Sequence, residues 1–89
     1  MMKIYDYYDK VACLFSGNFG VFQNDGTAIR TYKTLLQSGK LPPLVVSNPD
    51  DYAVYCLGSF DQDTGDIVAE KKFLVHMVDL IEVNKDGGK

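Results

Sequence analysis

The segment from Asp51 to Ala69 constrains the fold most strongly, because two apolar strands flank a turn there. In the turn, Gly65 tolerates a positive φ, and the side chains of Asp61 and Asp63 can accept hydrogen bonds from the backbone. We therefore predict a β-hairpin whose turn sets the register. Its first strand has two largely apolar faces, as expected of an inner strand, with Tyr52, Val54, Cys56 and Phe60 on one and Ala53, Tyr55, Leu57 and Ser59 on the other.

The N-terminal residues predict another hairpin. Met2–Tyr8 is rich in Tyr and Ile, which favour strands, and Asp9-Lys10 can form a tight turn into a strand over Val11–Phe15. Ser16-Gly17-Asn18 then breaks the pattern. Phe19–Phe22 either extends the edge of the sheet or lies over it as an apolar loop.

A helix is predicted over Thr27–Gln37, with Asn24 or Asp25 as its N-cap and Gly39 at its end. Pro42-Pro43 predicts an extended connector through residues 44–46, because proline disfavours a helix. Asn48-Pro49-Asp50-Asp51 predicts a turn before the central hairpin. The apolar residues of the helix have the spacing of a core-facing stripe, and they are Ala28, Ile29, Tyr32, Leu35 and Leu36.

Residues 71–83 suit either a helix or a strand. We predict a helix, because the segment exceeds the usual length of a strand and has a helical apolar stripe. The expected fold is α+β, with a small antiparallel sheet of about four strands and two helices on one face, in ββα-ββα order. The stripe consists of Leu74, Met77, Val78 and Ile81, which leaves Lys72, His76, Asp79 and Glu82 nearer the solvent.

A chain of 89 residues can form one domain with a small core, which we place at residues 1–84, followed by a flexible tail at 85–89. Cys13 and Cys56 lack the paired spacing of a zinc site, so we expect both to be reduced core residues. The sequence has no apolar run of membrane-spanning length and no signal-peptide pattern at its start. These features predict a cytoplasmic protein.

One segment imitates the beginning of a calcium-binding loop. Asp61, Asp63 and Gly65 have a suggestive spacing, since alternating carboxylates can surround a hard cation. However, Asp66 occupies the position that requires glycine, and Lys72 occupies that of the bidentate glutamate. We therefore interpret the segment as a turn and predict no metal site.

Catalysis is not indicated either. His76 is the only histidine, and no Ser or Cys with a matching acid is placed to form a nucleophile–base pair with it. Gly17 and Gly20 are not followed by the lysine and hydroxyl residue of a phosphate-binding loop. The sequence predicts a non-enzymatic protein with no cofactor.

Short motifs along most of the chain resemble a known family in their order and spacing. They are Met2-Lys3-Ile4-Tyr5 leading to Asp9-Lys10, Ala28-Ile29-Arg30, Asn48-Pro49-Asp50-Asp51-Tyr52, Tyr55, Leu57-Gly58, Phe60-Asp61 and Thr64-Gly65. In these motifs the chain resembles the small non-structural protein of gokushoviruses, the single-stranded-DNA microviruses of bacteria. That family is usually labelled DNA-binding and linked to phage DNA synthesis or packaging. The resemblance thus implies a bacteriophage protein that acts on DNA in the host bacterial cytoplasm.

Any phosphate contacts are expected in the N-terminal half, although the net charge of the chain is −3. Before Asn48 there are five basic and three acidic residues, whereas the remainder has four lysines and nine acids. Without the resemblance, the residues favour a solvated basic helix face and tyrosines in the core. With it, the candidate nucleic-acid-binding residues are Arg30, Lys33 and Lys40 on and just after the helix, with Lys3 and Lys10, and the candidate stacking residues are Tyr5, Tyr7 and Tyr8.

Our main hypothesis is a non-structural phage protein that binds single-stranded DNA during viral DNA replication or packaging. The alternative is a protein–protein adaptor that docks on the phage replication initiator or the procapsid with little DNA contact, which the acidic second half favours. Six Tyr and five Phe in a small chain, together with the exposed edges of an antiparallel sheet, also predict a homodimer.

Overall fold

The computed structural model describes residues 1–81, which form a five-stranded antiparallel sheet with helices on one face. The strands are β1 (Met2–Asp9), β2 (Leu14–Phe15), β3 (Gly20–Phe22), β4 (Tyr52–Phe60) and β5 (Ile67–His76). The helices are α1 (Asp25–Gln37), α2 (Pro43–Ser47) and α3, which covers residues 77–81 at the end of the described chain. The predicted α+β class and antiparallel sheet are confirmed, but the order is βββαα-ββα rather than ββα-ββα. The tail predicted at residues 85–89 lies outside the described residues.

The sheet is built around β1 and β4. The strand order is β2-β1-β4-β5, and β3 pairs with β1 on the same side as β2. The predicted interior position of the strand after Asp51 is confirmed, because β4 is paired on both sides. One face of the sheet packs against the helices, through Tyr5, Tyr7, Tyr52, Val54 and Cys56 on the strands and Ala28, Tyr32, Leu36, Val45, Met77 and Leu80 on the helices.

Helix α1 forms where the sequence predicts a helix. Its N-cap is Asn24, whose side chain accepts a hydrogen bond from the backbone N–H of Thr27 at 2.8 Å. Gly39 follows the helix with φ of 72°, a conformation that favours glycine. The predicted cap and the predicted end of the helix are therefore both confirmed.

The central hairpin is confirmed together with its turn. Gly65 has φ of 82°, and the side chain of Asp61 accepts a hydrogen bond from the backbone N–H of Asp63 at 2.9 Å. The pairing between β4 and β5 shifts register beside Gly58. A Cβ atom at Gly58 would lie 2.1 Å from the carbonyl oxygen of Val68, so this position requires glycine.

The helix predicted over residues 71–83 is wrong for its first half. β5 continues to His76, and helix α3 begins at Met77. The pairing of β4 with β5 skips Leu74, and both Leu74 and Val75 pack against the core. This irregularity places two consecutive apolar residues on one face, which removes the alternation expected of a strand.

The first predicted hairpin is shorter than expected. Residues 10–13 form a turn, in which the Asp9 carboxylate accepts hydrogen bonds from the N–H groups of Val11 and Ala12 at 2.9 and 3.0 Å. Cys13 lies in this turn and is exposed, so its predicted place in the core is wrong. Cys56 is buried in β4, as predicted, and both thiols are free.

The extended connector predicted after Pro42-Pro43 is also wrong, because Pro43 begins helix α2. Proline is well tolerated at a first helical position, where its missing N–H has no intrahelical partner. The backbone N–H groups of Val45 and Val46 instead bond to the carbonyl oxygen of Pro42. Burial of Val45 then attaches this short helix to the core.

On the edge away from β4, the stretch of β1 between its pairings with β2 and β3 has no partner strand among the described residues, and the side chain of Asp6 binds backbone groups there instead. Asp6 is fully buried, and its carboxylate accepts hydrogen bonds from the N–H groups of Tyr7 at 2.7 Å and Gly17 at 2.8 Å and from the Ser16 hydroxyl. β3 itself pairs with β1, so residues 20–22 extend the sheet edge rather than cover it. This edge is therefore irregular but satisfied.

Candidate functional site

The face of the sheet opposite the helices carries a row of five contacting rings, which we call the aromatic row. Strand alternation explains its position, because Tyr7 and Val54 point into the helix-covered core and their neighbours Tyr8 and Tyr55 point the other way. The ring centroids lie 4.9 Å apart for Tyr8 and Phe15, 5.4 Å for Phe15 and Tyr55, 5.7 Å for Tyr55 and Phe73, and 4.9 Å for Phe73 and His76.

The rings of the aromatic row pack edge to face or tilted rather than as parallel stacks. The angle between ring planes is 80° for Phe15 and Tyr55, 78° for Tyr55 and Phe73, and 55° for Phe73 and His76. Such arrangements suit the quadrupoles of aromatic rings. The row is thus an ordered surface rather than a set of independent side chains.

Solvent reaches this row along its whole length. Phe73 is 46% exposed, His76 is exposed, and the other three rings are half-buried. None of the five belongs to the buried core beneath the helices. A continuous, partly exposed aromatic surface on a sheet is suited to binding flat or apolar groups.

A positive charge lies at one end of the aromatic row. The ammonium nitrogen of Lys10, in the turn after β1, is 3.5 Å from Nδ1 of His76. Lys10 is exposed, so its charge is available to an anion that approaches the row. Of the predicted binding residues, Lys10 is the one that the structure brings to the aromatic row.

The other predicted cations lie elsewhere on the molecule. Arg30 and Lys33 are on α1 and Lys40 follows it, on the helix-covered side of the sheet. Lys3 lines a separate pocket of about 250 Å³ with Lys71 and Lys72. The five predicted residues therefore do not form one site.

Two of the three candidate stacking residues are in the core instead. Tyr5 and Tyr7 are buried, and desolvation raises the pKa of both hydroxyls above their usual value. The Tyr5 hydroxyl is also hydrogen-bonded to Asp25. Only Tyr8 faces away from the helices, so the prediction is wrong for Tyr5 and Tyr7.

The sequence reasoning missed four members of the row as binding residues: Phe15, Tyr55, Phe73 and His76. The alternation in β4 had already separated Tyr55 from the core-facing set. The helix predicted over residues 71–83 conceals two other members, because Phe73 and His76 in fact belong to β5.

These features define a small α+β protein with a partly exposed aromatic surface on the open face of its sheet. The chain belongs to the phage ORF5 protein family, whose model matches residues 2–83, and it is thus a bacteriophage protein. No curated protein and no solved structure matches it. Among residues 1–81, no helix is long and apolar enough to cross a membrane.

Proposed function

We propose that this phage protein binds single-stranded DNA on the aromatic row, in the host cytoplasm, during viral DNA replication or packaging. The observation that carries the proposal is the continuous series of partly exposed rings on the helix-free face of the sheet. Unpaired bases can stack on such rings without regard to sequence, and each stacked base contributes about 1–3 kcal/mol. Bases inside a duplex are already stacked and paired, so this surface favours single strands.

The charge distribution limits how strongly the protein can bind DNA. The chain carries a net charge of −3, and Lys10 is the basic residue that we place at the aromatic row. Each phosphate neutralised on a single strand contributes about −0.7 to the slope of log K against log salt. We therefore infer a binding mode dominated by stacking, with a shallow salt dependence and no catalytic step.

The test compares two exposed phenylalanines. Phe73 belongs to the aromatic row, whereas Phe19 is 62% exposed but lies in the loop before β3, outside the row. We expect Phe73→Ala to weaken binding of a fluorescent single-stranded oligonucleotide about 5- to 150-fold, the equivalent of one lost stacking contact. Phe19→Ala should bind as the parent does.

The same assay can contradict the proposal. Circular dichroism first establishes that both variants are folded. If the parent does not bind single-stranded DNA at low salt, or if Phe73→Ala binds as tightly as the parent, the aromatic row is not a DNA site. Tighter binding of a duplex than of a single strand would also argue against base stacking.

A second candidate function is a protein adaptor that docks on the phage replication initiator or the procapsid. A cavity of about 300 Å³ beside α1 favours it, because its lining includes the exposed Phe19 with Phe22 and Leu41. In that case Phe19→Ala should abolish capture of the purified phage partner, while Phe73→Ala should not. The two variants thus separate the two functions.

A further inference from the structure

The outer edge of β5 is a long strand edge without a partner in the described part of the chain. β5 pairs with β4 alone, and all residues from Ile67 to Phe73 are exposed. Ile67 is 64% exposed and Val68 is 59% exposed, although both are β-branched apolar residues. An edge of this kind is a template for pairing with another strand.

The opposite edge of the sheet does not offer such a template. β2 and β3 have two and three residues, and the loop between them separates the two short pairings with β1. β5 has 10 residues, which corresponds to about 33 Å of strand. Any added strand is therefore expected beside β5.

The sequence of β5 is self-complementary when the strand is paired with an antiparallel copy of itself about Lys71. In this register Glu70 lies opposite Lys72 of the second copy, so two oppositely charged pairs form. Lys72 also contacts Asp25 of its own chain at 2.9 Å, but its side chain is 56% exposed and its ammonium group has three N–H donors. The apolar residues on either side also lie opposite one another, Ala69 opposite Phe73 and Val68 opposite Leu74, up to the irregularity at Leu74. Lys71 lies at the centre of the pairing, opposite Lys71 of the second copy.

We propose that two copies of this protein form a symmetric dimer by antiparallel pairing of their β5 strands, centred on Lys71. The partner is a second copy rather than another protein because the polar and apolar residues of β5 match their own reversed order. The pairing covers the exposed apolar residues of the strand and satisfies its outward backbone groups.

The dimer would enlarge the proposed DNA site. Antiparallel pairing of identical strands places the two-fold axis perpendicular to the sheet, so both helix-free faces lie on the same side. The aromatic rows of the two copies would then share one surface, with Phe73 of each copy near the axis. This consequence rests on the proposed DNA binding, whereas the pairing itself does not.

β5 also has features that protect the edges of monomeric proteins, namely lysines and irregular pairing with β4. A charge-reversal variant shows whether these features keep the edge unpaired or whether the edge pairs with a second copy. Glu70→Lys would place three consecutive lysines at the axis of each copy and replace both attractive pairs by repulsive ones. The matched control is Asp63→Lys, which makes the same charge change in the exposed turn away from the strand edge.

Light scattering at micromolar concentration is the first measurement. We expect twice the chain mass for the parent and for Asp63→Lys, and the chain mass for Glu70→Lys. A monomeric parent, or a Glu70→Lys variant that remains dimeric, would overturn the proposal. Neither result depends on DNA, so failure of the dimer is distinguishable from failure of the proposed function.

A disulfide test reports the register. In a Cys13→Ser background, Lys71→Cys places two thiols opposite each other at the axis, with Cβ atoms about 5 Å apart. Val68→Cys is the control on the same strand, because its copy would be about 20 Å away, six residues along the pairing. Mild oxidation should yield a covalent dimer for Lys71→Cys and not for Val68→Cys, and the reverse would exclude this register.

Discussion

The hydroxyl group of Tyr5 donates a hydrogen bond of 2.7 Å to Oδ1 of Asp25, which joins the buried centre of β1 to the first turn of α1. The other carboxylate oxygen of Asp25 accepts a hydrogen bond of 2.9 Å from the ammonium group of Lys72 on β5. Asp25, in the first turn of the helix, thus connects two strands of the sheet, β1 and β5, to that helix. Its position near the positive end of the helix dipole is also favourable.

Removing the Asp25 carboxylate should destabilise the fold because it leaves the buried Tyr5 hydroxyl without an acceptor. We expect Asp25→Ala to lower the free energy of unfolding by about 1–3 kcal/mol. In a Tyr5→Phe background the same substitution should have a smaller effect, since the hydroxyl is already absent. Urea unfolding of the four proteins measures this coupling, and equal effects in both backgrounds would show that the hydrogen bond does not contribute.

The Asp25 interactions should make stability depend on pH in the acid range. Hydrogen bonds from Lys72 and Tyr5 hold the pKa of Asp25 below its usual value of 3.8. The stabilisation is therefore complete above that pH and is lost as the pH falls through the lower pKa of the folded state. The difference in unfolding free energy between the parent and Asp25→Asn should shrink as the solution is acidified below pH 3.8. A difference that does not change with pH would contradict the assigned pKa direction.

Because of the buried tyrosines, we expect the free energy of unfolding to decrease a second time at high pH. Burial raises the pKa of Tyr32 to about 12 and also raises that of Tyr7, while an unfolded tyrosine ionises near 10.0. Because the folded chain holds these protons more tightly, their contribution is complete below pH 10 and is lost as the pH rises above it. Unfolding measured above pH 10 should show a shallower loss of stability for Tyr32→Phe than for the parent. Equal slopes would mean that Tyr32 ionises freely in the folded state.

Gly58 should tolerate no side chain. Gly58→Ala brings a Cβ atom against the Val68 carbonyl, and we expect a loss of about 2 kcal/mol or more because backbone atoms must move. Gly26→Ala in the first turn of α1 is the matched control, since its nearest neighbour would lie 3.5 Å away, an ordinary contact. That substitution should be neutral or stabilise the helix. Thermal unfolding of the two variants compares these effects directly.

The salt dependence of DNA binding shows which face of the sheet contacts DNA. If DNA lies on the aromatic row, Lys10→Ala should reduce the slope of log K against log salt by about 0.7, the contribution of one phosphate. Arg30→Ala with Lys33→Ala should change it much less, because both residues are on α1 across the sheet. If the double variant instead lowers the slope by about 1.4, DNA binds to the helix face that the sequence first indicated.

The elements that the sequence predicted well are those controlled by local interactions. Gly65 and Asp61 define the central turn, and Asn24 and Gly39 define the limits of α1, all through contacts within a few residues. The interior position of β4 was also predictable, because both of its faces are apolar. Such features need no knowledge of distant parts of the chain.

The errors occurred where distant contacts decide the structure. The register shift that places both Leu74 and Val75 against the core depends on how β5 pairs with β4, and this hid the strand from a search for alternation. The aromatic row was missed for the same reason, since Phe15 and Phe73 meet Tyr55 only after three strands have assembled. Burial of Tyr5 likewise depends on α1, which is remote in sequence.

The carboxylate of Asp6 limits the number of copies that can join through their sheets. By accepting a hydrogen bond from the N–H group of Tyr7, it occupies the stretch of β1 between the pairings with β2 and β3, which an incoming strand would otherwise use. The sheet can then grow past β5, whereas on the other side the edge strands β2 and β3 offer only two and three residues. Two copies joined through β5 would each present this blocked edge outward, so the association would stop at a closed pair instead of propagating into a fibre.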